Sequence, residues 1–279
     1  MLIRCWGARG SIPVSGPEFL RYGGDTTSIE IRSGGNDIIL IDAGSGIRRL
    51  GNRLIGEPAG HLSMILTHAH WDHIMGFPFF KPIYTDRTEI TFHGCPFAQD
   101  SLRKMISRVM KAPHFPVDFS EIKARIDFSE NCDRPFAIGA VTVHAIPLSH
   151  PNGGLGFRFE EDGKKFVFLT DNELSHIHPG GRAFEEYVEF SRGADFLIHD
   201  AEFTEREYGK TRTWGHSTYR DALRLALAAG VGKLGLFHHN QDRSDDALED
   251  ILGDCRRIIG EQGASMECFA LTQTLETAL

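Results

Sequence analysis

Covalent ties are scarce in this chain. Its five cysteines, Cys5, Cys95, Cys132, Cys255 and Cys268, are odd in number, far apart and without a C-x-x-C pair. That argues against a disulfide framework or a thiolate zinc site, and buried free thiols are expected. Long apolar runs are lacking too. No stretch approaches the length of a membrane span, and residues 1–6 lack a basic start followed by a sustained apolar segment. Neither membrane insertion nor a signal peptide is expected, and the predicted location is cytoplasmic. Basic charge is in deficit, with 30 Lys plus Arg against 38 Asp plus Glu for a formal charge of −8. This gives no support to a surface built for extended nucleic acid. Apolar material is plentiful at 41% of 279 residues, enough for a substantial core, and without linker-like composition or an obvious repeat the chain reads as one domain, 1–279.

The densest chemistry lies in Thr67-His68-Ala69-His70-Trp71-Asp72-His73. It follows the apolar Met64-Ile65-Leu66, which reads as the end of a buried strand, so four donors leave a sheet together. Three imidazoles and a carboxylate within six residues suit zinc, manganese or iron, and alternate residues of an extended segment project to one side. A lone histidine at a strand end would be unremarkable; this grouping predicts a metal site. Elsewhere, residues 2–6, 27–31 and 38–41 read as strands, the last two joined by a hairpin at Ser33-Gly34-Gly35-Asn36. Residues 140–146 alternate as a strand and deliver His150. Residues 155–160 and 164–169 form a second hairpin leading to Asp171. After residue 180, helices at 181–191, 217–227 and 245–261 alternate with short apolar strands at 195–198 and 234–237, which argues for α/β layering. The spacing of Leu102, Met105, Ile106 and Val109 predicts an amphipathic helix over 97–111, followed by the stiff Ala112-Pro113-His114-Phe115-Pro116. This helical insertion, around residues 95–120, is placed either to cap the site and line it with His114 and Phe115 or merely to extend the sandwich with its basic face in solvent.

His68-Ala69-His70-Trp71-Asp72-His73 resembles the H-x-H-x-D-H signature of the metallo-β-lactamase superfamily. The resemblance implies a four-layer αββα sandwich of the α/β (α+β) class, with one or two metals at the sheet edge. It also implies the ligand set: His68, His70 and His150 for one ion, Asp72, His73 and His238 for the other, and Asp171 between them. A carboxylate can bridge two ions where an imidazole cannot. His239, next to His238, is the alternative last ligand. Asp42, at the end of a strand, takes the superfamily's role of supporting the metal-bearing loop, a place it could also fill as a helix N-cap. The opening Gly7-Ala8-Arg9-Gly10-Ser11-Ile12-Pro13 and Arg21-Tyr22-Gly23-Gly24 resemble a bacterial subgroup with G-x-R-G-S-I-P and R-Y-G-G segments. Arg9 and Arg21 are therefore candidate contacts to an anionic substrate. His61, His93, His144, His176 and His178 belong to no recognised motif and read as structural.

The resemblance is narrowed by His199-Asp200-Ala201, then Gly215-His216-Ser217-Thr218, then Leu236-Phe237-His238, an order similar to the tRNase Z and small phosphodiesterase branch. In that branch the His of the H-S-T element assists at the phosphate and leaving group. His216, steered by Asp200, and the ligand Asp72 are thus the implied catalytic residues. A Glu is more usual at the position of Asp200, and the chain has no glycine-and-proline-rich arm for gripping tRNA. The expectation is a binuclear hydrolase with two divalent ions, Zn or Mn with Fe as the other option. It would act through a bridging hydroxide on a small cyclic or diester nucleotide. A homodimer is left open. The alternatives are a thioesterase or lactonase on the same metals, a di-iron sensor module, and a metal-free interaction protein.

Overall fold

The computed structural model describes residues 1–57, 60–94, 101–130 and 134–279. Cys95 and Cys132 lie outside them, as does the start of the helix expected over 97–111; Cys5, Cys255 and Cys268 are buried and free. The first half of the chain forms β1 (Leu2–Gly7), β2 (Ser28–Arg32), β3 (Ile38–Ile41), α1 (Ile47–Leu54), β4 (His61–Ile65), α2 (Trp71–Ile74), β5 (Glu89–Gly94), α3 (Leu102–Val109) and β6 (Arg125–Glu130). The second half begins with β7 (Phe136–Ile138), β8 (Val141–Pro147), β9 (Leu155–Glu161), β10 (Lys164–Leu169), α4 (Phe184–Ser191) and β11 (Phe196–Asp200). It continues through α5 (Glu205–Thr211), α6 (Tyr219–Ala229), β12 (Lys233–Phe237), α7 (Asp245–Glu261), β13 (Glu267–Ala270) and β14 (Glu276–Ala278).

These strands make two seven-stranded sheets, ordered β14-β1-β2-β3-β4-β5-β6 and β13-β12-β11-β10-β9-β8-β7. Both follow the same plan. In the first sheet β14, β1, β2 and β3 pair antiparallel, then β3 to β6 run parallel. In the second, β7 to β10 are antiparallel and β10 to β13 parallel. The two halves of the chain therefore repeat one topology that the sequence does not advertise, with β14 returning to the first sheet in the position that β7 holds in the second.

Strand alternation sets the layers. Along β3, Ile39 and Ile41 face the other sheet while Leu40 faces α1 and α3; along β10, Phe166 and Phe168 point between the sheets while Val167 and Leu169 pack under the helices. Because both faces of the strands are covered, β3, β10 and β12 read as nearly continuous apolar runs. The result is the αββα sandwich expected, with α1, α2 and α3 outside the first sheet and α4, α6 and α7 outside the second. The helical insertion expected around residues 95–120 corresponds, among the described residues, to α3 and the turn at Phe119–Glu121, which lie between β5 and β6 of the first sheet.

Phe168 is fully buried between the sheets and meets the ring of Phe237 edge-on at 5.3 Å, directly before His238. Phe168→Ala is expected to lower the free energy of unfolding by about 3–5 kcal/mol, measured by chemical denaturation; a loss below about 1 kcal/mol would show that the inter-sheet layer is loosely packed.

Candidate metal centre

The donors gather where strands of both sheets end. β4 runs through Leu66 into residues 67–73, β8 leads to His150, β10 to Asp171, β11 ends at Asp200, and β12 delivers His238. Three residues at these exits take left-handed backbone: Asp42 (φ 60°), Asp171 (φ 57°) and His238 (φ 54°). Non-glycine residues rarely adopt it, and the strain is held by the surrounding structure. Backbone also approaches the imidazoles closely. A Cβ on Gly10 would lie 2.3 Å from Nδ1 of His238, and one on Gly215 (φ 96°) 2.1 Å from Nδ1 of His150, so only glycine fits at either place.

Beside a third group of Glu202, His216 and His238, two groups of four donors result among the described residues, His68, His70, His150 and Asp171 in one and Asp72, His73, Asp171 and His238 in the other, each with its atoms within 4.8 Å of one another. Asp171 belongs to both. Its Oδ2 lies 3.5 Å from Nε2 of His68, 3.8 Å from Nε2 of His150 and 3.4 Å from Nε2 of His238, and its Oδ1 lies 3.3 Å from Nε2 of His73. Asp72 Oδ2 stands 3.0 Å from Nε2 of His238 and accepts from the amide of Ser11 at 2.9 Å. Nδ1 of His70 and Nε2 of His150, from different rings, are 3.0 Å apart. His239 turns away and places Nε2 2.9 Å from the carbonyl of Leu271, so of the adjacent pair it is His238 that joins the cluster.

The donors are also oriented. Nδ1 of His73 contacts Asp42 Oδ2 at 2.8 Å, Nδ1 of His150 the carbonyl of Gly215 at 2.9 Å, and Nδ1 of His238 Glu202 Oε2 at 3.0 Å. With Nδ1 donating outward, each ring turns its Nε2 into the cluster, the usual outer support of a metal-binding histidine. Asp42 further accepts from the amide and hydroxyl of Thr67, both at 2.7 Å, and so fixes the start of the donor-bearing loop. Nε2 of His68 and Nε2 of His73 are buried without a hydrogen-bond partner. Buried polar atoms are normally satisfied, so this observation, with the mixed nitrogen and oxygen donors, fits divalent metal ions.

Electrostatics divide the set. Burial pushes His68 far down, with His73 adding to it, and pushes His150 down to about 3, so both imidazoles stay neutral. Burial alone would raise the Asp72 and Asp171 carboxyls, but His73 and His238 hold both well below the usual carboxylate range. In return, against the opposing effect of burial, Asp72 and Asp171 hold His73 well above its ordinary value, as Asp171, Asp72 and Glu202 do for His238. Those two rings carry protons that a bound cation would displace.

His216 stands beside this cluster. Its ring stacks on His238 at 4.7 Å, and its Nδ1 lies 3.5 Å from Glu202 Oε2, 3.7 Å from Asp200 Oδ2 and 3.9 Å from Asp171 Oδ2. Burial opposes its charged form, but Glu202, then Asp200 and Asp171, raise it to about 9. Asp200 was expected to steer His216, yet its oxygens already accept from the amides of Asn172 (3.0 Å) and Ser217 (2.8 Å). It ties the Asp171 loop to the His216 loop, while the nearer carboxylate is Glu202. Sequence reasoning gave Glu202 no role. The only local signal was its position two residues beyond Asp200. The helix after His216 begins at Tyr219, two residues later than expected, with Thr218 as its cap.

Among the three substrate contacts expected, Arg9 requires correction. It is completely buried and donates to the carbonyls of Gly23, Asn240 and Arg243. It therefore locks the loop that carries Gly10 and Ser11 and has no exposed surface to offer a ligand. Arg21 pairs with Glu249 of α7 at 2.9 Å on the outer surface, and the cleft lining does not include it. His114 is exposed and lines a cavity of about 540 Å³ that shares Ala69 and Trp71 with the metal cleft, itself about 410 Å³ and lined also by Ser11, His70, Asp72 and His216. Among the histidines read as structural, His178 pairs with buried Glu173 at 2.8 Å, His61 with Thr91 at 2.8 Å, and His93 stacks on Phe136.

Comparison with known proteins agrees with this geometry. The family model described as "Beta-lactamase superfamily domain" matches residues 38–239, which contain every donor named above. Ribonuclease Z of Haloarcula marismortui is 27% identical over 262 residues, covering 77% of this chain and 80% of that protein. Among solved structures, human tRNase Z, short form, superimposes with a TM-score of 0.67 at 21% identity, over 100% of this chain and 99% of that one. A diphosphatase from the PhnP family gives 0.69 at 17% identity, over 100% and 97%. At these identities the two structures establish the shared fold.

Asp42→Asn keeps a residue that tolerates left-handed backbone but weakens acceptance from His73 and Thr67. Metal affinity is expected to fall about 10- to 100-fold with the fold intact, read by competition with a chromogenic chelator. Unchanged affinity would mean that Asp42 supports the loop alone.

Proposed function

The chain belongs to the β-lactamase superfamily and is a metal-dependent hydrolase of that fold; from this premise we propose that it is a binuclear phosphodiesterase acting on small cyclic or diester nucleotides. The observation that carries the reading is the pair of four-donor groups joined at Asp171, with His216 beside them. His68, His70, His150 and Asp171 would hold one divalent ion, and Asp72, His73, His238 and Asp171 the other. Such a pair supplies Lewis acidity and hydroxide at neutral pH, and suits phosphodiesters because it stabilises charge on both attacking and leaving oxygens. Zinc or manganese accords with the donors, and iron is compatible with them.

The chain's own residues supply the rest. The Ser11 amide holds Asp72 in place, and Glu202 fixes His238 from behind. His216 faces the carboxylates of Glu202, Asp200 and Asp171, which favour a proton on its ring. It donates that proton to the departing ester oxygen, a role in which general acids contribute about 10²- to 10⁴-fold. The acidic balance of the chain favours a small substrate over a long polyanion. A second reading, an RNA 3′-end nuclease, is favoured by the name of the Haloarcula relative.

Metal analysis of active protein is expected to find two ions per chain, and Asp171→Ala to remove most turnover of bis-p-nitrophenyl phosphate together with at least one ion. One ion in fully active protein would overturn the binuclear reading, and efficient cleavage of precursor tRNA at moderate salt would favour the RNA reading.

His216→Ala is expected to lower turnover of a nucleotide diester by about 10²- to 10⁴-fold but that of bis-p-nitrophenyl phosphate far less, since nitrophenolate leaves without a proton. Equal losses on both substrates at matched metal content would reduce His216 to a phosphate-binding group.

A further inference from the structure

Trp71 sits between two donors, His70 and Asp72, yet its side chain is largely in solvent: the residue is 79% exposed, and Phe79 is 55% exposed. Both line the cavity of about 540 Å³ that opens beside the metal cleft through Ala69 and Trp71. Phe115 completes an aromatic wall, its ring meeting that of Phe79 edge-on at 5.6 Å and 82°. Met75 and Met105 contribute adaptable thioether surface, and Arg108 and His114 bring polar groups to the lining. Exposed aromatics gathered at one place call for an occupant. This cavity's volume is that of a small-molecule site. A nucleobase has flat π faces for the aromatic wall and a polar edge that the exposed His114 can meet.

Resting on the phosphodiesterase reading above, we propose that this cavity is a base-binding subsite, which holds one nucleobase of the diester while its phosphate lies at the metal donors. The first half of the chain thereby supplies specificity through α2, α3 and the segment ending at Phe115, in addition to its share of the metal donors. Trp71 is common to both compartments, so it separates the base from the phosphate and sets the distance between them.

The test is calorimetric titration of metal-loaded protein with adenosine 5′-monophosphate, ribose 5-phosphate and octyl phosphate. It compares the wild type with Phe79→Ala/Phe115→Ala, whose side chains are removed from the metal donors. Adenosine 5′-monophosphate is expected to bind about 5- to 150-fold tighter than ribose 5-phosphate, the range of base stacking on aromatic side chains. In the double variant that preference falls to about threefold or less, while ribose 5-phosphate affinity and metal content stay unchanged and unfolding remains cooperative. Equal binding of the two ligands in the wild type overturns the subsite, as does a preference that survives the double substitution. Tighter binding of octyl phosphate than of adenosine 5′-monophosphate also overturns it, in favour of an apolar chain. Turnover of bis-p-nitrophenyl phosphate by the wild type reports on the chemistry separately. Turnover without a base preference rejects the subsite and keeps the phosphodiesterase; a base preference without turnover keeps the subsite and rejects the phosphodiesterase.

Discussion

The centre rests on keeping Asp171 ionised inside the protein. A carboxylate taken out of water costs several kcal/mol unless positive charge surrounds it, and Asp171 is buried with its oxygens facing four imidazoles. The same contacts explain why His73 and His238 carry protons in the absence of a cation while His68 and His150 do not. Replacing those two protons with divalent charge satisfies the carboxylates and gives the unpartnered Nε2 atoms of His68 and His73 a bond. The strained exits at Asp42, Asp171 and His238 then have a purpose, since each turns a side chain off its strand and into the cluster.

Much of this was legible in the amino-acid order because the relevant patterns are local. Four donors within residues 67–73 need no tertiary information to be seen, and α7 lies at residues 245–261 as its apolar spacing predicts. Glu202 shows the limit. Its partners are 14 and 36 residues away, brought to it by the parallel register that sets Asp200 opposite Phe237, and nothing within β11 encodes that register. Arg9 misled for a related reason: a guanidinium in a glycine-rich loop suggests an anion site, but three carbonyls from two distant segments consume its donors. α1 went unread because Gly51 interrupts a short helix with weak propensity, although its lack of a side chain is what lets Phe80 pack close.

The repeated plan of the two sheets accounts for the placement of the two donor groups. Asp42 and Asp171 follow β3 and β10, the strands at which each sheet changes from antiparallel to parallel pairing. One became the outer support of His73 and the other the shared donor. Equivalent positions in a duplicated topology have thus been given different tasks, and the difference lies in what surrounds each carboxylate: Thr67 and His73 of the donor-bearing loop for Asp42, rings from both halves for Asp171.

The pairing of β14 with β1 imposes an order in time. During synthesis the strands of the first sheet emerge early, but its outer pairing waits for residues 276–278, and the cluster around Asp171 waits for His238. Until then the nascent chain exposes a half-built sheet and a loop of unsatisfied imidazoles, a period in which capture of a stray cation or of a neighbouring strand competes with folding. Closing contacts so distant along the chain are slow to form. The interval between the emergence of His68 and that of Ala278 is therefore the stage of this protein's life most exposed to misassembly.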